Sequence, residues 1–211
     1  MLFRSQFPDL IESVSSELTP MVATAKDIEK FKTSANSNHG YYIGRYEAGK
    51  TDNDGFMVCK SGQEVWNYIT QPKASEVSRN MYGSEAKVTS DLINSYAWDT
   101  AIVFIQKCGT ESNSSTYSYT AGLSSRSTSA PQTTGTNILK ATNKVDKQCN
   151  IFDMAGNCFE WTTETSSDSF GPCVGRGDFF SYGNDGCTSY RFTYFTSGAG
   201  SSFSFRPLLY L

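Results

Sequence analysis

Phe205–Leu211, FRPLLYL, is an almost wholly apolar stretch. A strand of that kind is viable at the end of a domain only when it is paired and covered, because its backbone groups and side chains would otherwise be left in water or open to another chain. The segment is therefore expected to be a paired and covered strand. Directly before it, and overlapping it by one residue, runs Gly177–Phe205, GDFFSYGNDGCTSYRFTYFTSGAGSSFSF. These 29 residues include six Phe, three Tyr, six Ser, five Gly and three Thr, but no Lys, Glu, Gln, Met or Trp. With those five types forming about a fifth of average usage, their joint absence has a chance on the order of 0.2%.

Two causes fit this window. Physically, Tyr and Phe give large rigid contact areas at little entropic cost, while Ser, Gly and Asn adapt their hydrogen bonding, as in the loops of a binding paratope. Genetically, the five missing residues are those that no codon ending in C can specify, so randomising the adenines of AAC codons yields this set. A Ser/Gly/aromatic-rich β-region or a low-complexity tail is the plainer alternative. Nine aromatic residues argue against a disordered tail.

With 211 residues and 38% hydrophobic content the chain can bury a core in one domain, with or without a small appendage. A net charge of -3 with dispersed Lys and Arg offers no stripe to track phosphates, so nucleic acid is not an expected partner. The start, MLFRSQFPDL, lacks an apolar signal core, and no apolar run is long enough to span a bilayer, so neither a signal peptide nor membrane insertion is expected. Six Cys at irregular spacings, without a CxxC pair, signal neither a zinc site nor a disulfide framework.

Residues 8–19 place Leu10, Ile11, Val14 and Leu18 at helical spacing, and the polar run Lys32–Gly40 reads as a loop. Residues 1–39 are accordingly expected to form a helical appendage, with residues 40–211 as the domain. His39, the single histidine, is read as an exposed loop residue. Tyr41–Glu47 and Phe56–Lys60 read as strands, and Gln71-Pro72 opens a helix carrying Ala74, Val77 and Met81 on one face. The strongest helical pattern has Ser90 as N-cap, Asp91 in the first turn and Leu92, Ile93, Tyr96, Ala97, Ile102 and Ile105 as a stripe, reaching about Lys107. Within it Trp98 reads as core and Asp99 as surface. Glu111–Asn137, dominated by Ser and Thr, reads as a mobile surface loop or an insertion beside the binding face. In Ile151–Thr163, Gly156-Asn157 makes a turn and Phe159 and Trp161 alternate inward.

The succession YYIGRYEAG, VTSDLINSYAWDTAIVFI, DMAGNCFEWT, GRGDFF and SFRPLLYL resembles the formylglycine-generating-enzyme type of C-type lectin fold over residues ~40–211. The resemblance implies an α+β fold with two helices on a small twisted antiparallel sheet, extensive loops, and first and last strands as neighbours. Oxidases of that family need two cysteines to bind copper; the matching positions here are Tyr182 and Cys187, and a tyrosine supplies no thiolate. No metal, cofactor or catalytic residue is expected. The same ending resembles the variable proteins of diversity-generating retroelements, whose lectin-type scaffold carries adenine-mutagenised codons up to a fixed FRP-like strand.

That likeness implies a ligand-binding protein on a phage tail or cell surface, recognising a cell-surface macromolecule, protein before glycan. Asp178, Phe180, Ser181, Tyr182, Asn184, Asp185, Tyr190, Phe192, Tyr194, Phe195, Ser197 and Phe203 form the expected face, while Arg176, Ser189, Arg191 and Arg206 match framework positions. A related oxidase with altered metal chemistry and a structural tail subunit are the competing classes.

Overall fold

The elements, in chain order, are α1 (Ile28–Ser37), β1 (Tyr42–Ile43), β2 (Gly49–Lys50), β3 (Met57–Val58), α2 (Gln71–Arg79), β4 (Thr89–Leu92), α3 (Ser95–Cys108), a 3-10 turn (Ser114–Thr116), β5 (Lys147–Gln148), β6 (Ile151–Phe152), β7 (Phe159–Thr165), β8 (Cys173–Arg176), β9 (Arg191–Tyr194), β10 (Phe203–Phe205) and β11 (Pro207–Tyr210). This computed structural model describes residues 22–51, 56–82, 86–111, 114–117, 127–140, 142–181 and 187–211. The helix expected over residues 8–19 and the site residues Tyr182, Asn184 and Asp185 lie outside them. The fold is α+β.

β11 is the middle strand of a three-stranded sheet, with β1 on one side and β4 on the other, both antiparallel. The apolar ending is thus paired on both edges. β10 belongs to a second sheet of order β10-β7-β8-β9, in which its pairing with β7 is parallel and the other pairings are antiparallel. The expected single antiparallel sheet is therefore two larger sheets, one of them mixed, and residues 203–210 cross from one to the other.

The helix expected to be capped by Ser90 is capped four residues later. Thr89–Leu92 instead pairs with β11, Leu208 opposite Asp91 and Leu209 opposite Ser90. Asp91, 2% exposed, accepts the Lys26 backbone N–H and pairs with Arg79 at 2.8 Å. Asn94 is the N-cap, its side chain accepting from Ala97 N at 2.8 Å. The expected loop over Lys32–Gly40 is also corrected, because α1 runs to Ser37. Asp27 caps that helix by accepting from Lys30 N, and Phe31 enters the core between Tyr41 and Tyr210, ring centroids 5.3 and 5.5 Å away. The described parts of the Ser/Thr-rich connection are not all surface either: Ser114, Tyr117, Thr134 and Asn137 are buried, with the Tyr117 hydroxyl donating to Asp146 at 2.6 Å.

Two apolar clusters fill the interior. One joins Phe31, Ile93, Trp98, Ile102, Ile105, Leu208 and Tyr210; the other joins Ala48, Ile69, Val77, Leu92, Phe159, Trp161, Phe203 and Phe205. Among the described residues no helix is long and apolar enough to cross a membrane.

Candidate binding face

β8 and β9 run side by side with Arg176 opposite Arg191, Gly175 opposite Phe192, Val174 opposite Thr193 and Cys173 opposite Tyr194. Side chains alternate across a strand. Phe192 and Tyr194 therefore share one face, and Arg191 and Thr193 share the other. On the first face lies a row of rings that begins in the core: Trp161 is stacked on Phe203 at 4.2 Å, Phe203 meets Tyr194 at 5.1 Å, and Tyr194 meets Phe195 at 4.9 Å. A second branch runs from Phe159, stacked on Phe192 at 4.9 Å, to Phe179 at 5.0 Å and Tyr190 at 6.3 Å. Gly175 leaves room for these rings, since a Cβ there would lie 3.4 Å from the Phe159 Cβ and 3.5 Å from the Phe203 ring. Ring pairs at these distances hold one another in place, so the outer members are presented with little freedom left to lose on binding.

The expected site residues divide by depth. Ser181, Tyr190, Phe195 and Ser197 are exposed, and Phe192 and Tyr194 are half-buried. Asp178, Phe180 and Phe203 are buried and do not belong to an open face. Asp178 turns back onto the backbone, its Oδ1 accepting from Phe179 N at 2.8 Å. The backbone of Phe180 is clamped between the Asn157 carbonyl, which accepts its N–H, and Thr128 N, which donates to its carbonyl. Phe203 is the link to Trp161. In place of Phe180 the neighbouring Phe179 joins the half-buried row, an offset of one residue that composition cannot resolve. Phe170, 79% exposed, also flanks the sheet, because Gly171 packs on Thr193 of β9. Its signal in the chain is an aromatic residue inside the otherwise polar turn DSFGP.

Beneath the face two ionic networks hold the ends of the window. At the start, Arg176 is fully buried and reaches Glu164 at 3.0 Å and Asp99 at 2.5 Å, while Arg191 reaches the same two carboxylates at 2.5 and 3.2 Å. Asp99, expected at the surface, is thus an α3 anchor for the β8–β9 pair. Gly177 follows at φ +84, a left-handed turn in which a side chain would approach the Met154 carbonyl at 3.0 Å. Thr188 is buried, accepting the Trp98 indole N–H on its carbonyl and donating its hydroxyl to the Tyr117 carbonyl.

At the other end Arg206, fully buried, donates to Glu160 through two nitrogens and to the carbonyls of Gly44 and Phe152 at 2.7 and 2.8 Å. Glu47, Asp146 and Asp153 stand in the same electrostatic neighbourhood. Burial drives the Glu47 carboxyl well above the ordinary range, with Asp153 and Glu160 adding repulsion; Asp146 is pushed up to about 6 and Asp153 to about 8, again chiefly by burial.

The chemistry open to this face is limited. Cys173 lies under it with its pKa pushed up to about 12 by burial, and burial beside Glu47 drives Cys158 well up, so both are thiols rather than thiolate nucleophiles at neutral pH. Cys187 is half-buried with its Sγ 3.2 Å from Ser189 Oγ. Among the described residues no group of three or more His, Cys, Asp and Glu side chains is arranged to hold a metal ion.

No protein-family model and no curated protein matches the chain. Of solved structures, the crystal structure of CarF is similar at 18% identity and a TM-score of 0.38, over 87% of this chain. The chain spans 63% of the length of that structure.

Proposed function

We propose that the chain is a ligand-recognition protein of the kind diversified by retroelements, built on a C-type lectin fold of the formylglycine-generating-enzyme type, whose C-terminal face binds a protein on a cell surface. The observation that carries this reading is the match between the biased window and the architecture. The window rich in Phe, Tyr, Ser and Gly, Gly177–Phe205, lies between two fully buried arginines, Arg176 and Arg206, within a longer run from Thr165 to Leu211 that lacks the same five residue types. Between them the rings of Tyr190, Phe192, Tyr194 and Phe195 lead from the core to solvent. Half-buried aromatic anchors among small polar residues are the composition of protein-recognition surfaces.

The activity so assigned is binding without chemistry. The oxidase alternative requires two thiolates, and the two matching positions, Tyr182 and Cys187, do not supply them. Asp178 and Asp185 are the window's only carboxylates, too few for a calcium site of six to eight oxygens by themselves.

Binding of the purified protein to host cells is therefore expected to survive a chelator, and to be lost on joint Tyr190→Ala, Tyr194→Ala and Phe195→Ala substitution. Loss with the chelator and full binding by the triple variant would overturn the reading. At the genetic level a neighbouring reverse transcriptase and a near-copy of the 3′ coding segment differing at adenines are expected. An invariant window among sister genomes would point to a structural subunit instead.

A further inference from the structure

Beside the variable face, on residues almost all outside the biased window, lies a cleft of about 260 Å³ lined by Glu64, Asn67, Tyr68, Pro131, Gln132 and Ser201 among others. Tyr68 is the unusual member. It is 69% exposed and has φ +53, a left-handed conformation that costs a bulky residue energy and persists only when its surroundings impose it. They do so here, because Tyr68 N donates to the Gly200 carbonyl at 3.0 Å and Asn67 Nδ2 donates to the Ser201 carbonyl at 3.2 Å. The opposite wall is equally fixed: Gln132 N donates to Asn157 Oδ1 at 2.7 Å, and Asn157 Nδ2 returns a bond to the Gln132 carbonyl at 3.1 Å. An aromatic ring is thus held out in water beside a preformed cleft, where the hydrophobic effect alone would draw it under cover.

We propose that this cleft is a second ligand site, fixed in specificity, that takes a neutral pyranose ring against Tyr68. The lining chooses the chemistry. The amide nitrogens of Asn67 and Gln132 are spent on the Ser201 and Ala130 carbonyls, so with the Glu64 carboxylate these side chains offer the cleft acceptors, which suits a ligand rich in donors such as sugar hydroxyls. An anion is disfavoured by Glu64 and by the lack of any Lys or Arg in the lining. A quaternary ammonium would need a cage of several rings, and the cleft has one. The volume lies below the ~300–1,000 Å³ typical of drug-sized sites, which suits one saturated ring with its apolar face on the tyrosine. Ser201 is the one window residue in the lining, and Asn67 and Tyr68 are held by the backbone carbonyls of Ser201 and Gly200, so side-chain changes elsewhere in the window leave the cleft standing. The site does not depend on the function proposed for the aromatic face.

The test is saturation-transfer NMR on the full chain with methyl glycosides of glucose, galactose, mannose and N-acetylglucosamine at millimolar concentration. At least one is expected to receive saturation on its ring protons. Tyr68→Gly removes the ring while suiting the positive φ, so it is expected to melt no lower than the parent yet bind about tenfold more weakly or worse; Glu64→Leu is expected to weaken the same glycoside. Immobilised oligosaccharides carrying that sugar separate a surface glycan, captured in both formats, from a free sugar, captured only as the glycoside. Saturation of none of the glycosides, undiminished binding by Tyr68→Gly, or preference for nucleosides or tetramethylammonium overturns the proposal.

Discussion

Arg206 is a single guanidinium amid four buried carboxyls, Glu47, Asp146, Asp153 and Glu160. Burial works against its charge, but Glu160, bonded through two of its nitrogens, holds it protonated. One cation cannot offset four anions in so dry a place, and the excess is relieved by protonation. Asp146, at about 6, and Asp153, at about 8, keep protons in the folded protein that an unfolded aspartate releases near pH ~4. Since the folded state binds the extra protons, their contribution to stability is complete below pH ~4 and is lost as pH rises through about 6 and then about 8. The melting temperature is expected to fall between pH ~4 and ~8. Asp153→Asn keeps an acceptor for the Gly135 N–H and cannot ionise, so it is expected to melt near the parent at the acid end and above it at the alkaline end. A parent profile that rises across this window, or identical profiles for the two proteins, refutes the account.

At the scale of elements, the rings packed along the β8–β9 pair pass from a buried layer to an exposed one. Trp161 is fully buried, stacks on Phe203 and donates its indole N–H to the Ile69 carbonyl at 2.9 Å. Trp161→Ala is expected to cost about 3–5 kcal/mol. Phe195, 51% exposed at the end of the same row, is expected to tolerate Phe195→Ser within ~0.5 kcal/mol. Urea denaturation of both variants checks this, and comparable losses would erase the distinction between layers. Elements with local causes were legible in the chain: α2 begins where Gln71-Pro72 places it, capped by Thr70, and Phe159 and Trp161 turn inward as alternation requires. Thr89–Leu92 was not, because its strand state comes from Pro207–Tyr210, far along the chain, and that pairing outweighs a plausible Ser90 cap. α1 stays hidden for a different reason: it buries one large apolar side chain, Phe31, in an otherwise polar run. For the site, composition marks the right stretch but not its sidedness. Which of Phe179 and Phe180 faces out depends on a backbone clamp by Asn157 and Thr128, and nothing in a run of aromatics encodes that.

At the scale of the molecule, residues 203–210 belong to both larger sheets, β10 lying beside β7 and β11 between β1 and β4, with Arg206 at the crossing bonded to the chain near Gly44, Phe152 and Glu160. Both apolar clusters draw on this segment, through Leu208 and Tyr210 in one and Phe203 and Phe205 in the other. Removal of Phe205–Leu211 is expected to abolish the cooperative thermal transition and the near-ultraviolet circular dichroism. A truncated protein that still melts sharply would show the two sheets to be independent of their shared strand.

The order of window and crossing segment along the chain has a consequence for heredity. Any stop codon or frameshift that arises within residues 177–205 also deletes or scrambles the strand segment both sheets need, so its product fails to fold and becomes a substrate for proteolysis. A coding change that stays in frame leaves that segment intact and yields a finished, presentable molecule. The fold thereby acts as a check on the reading frame through this stretch, since a product out of frame lacks the segment that both sheets share.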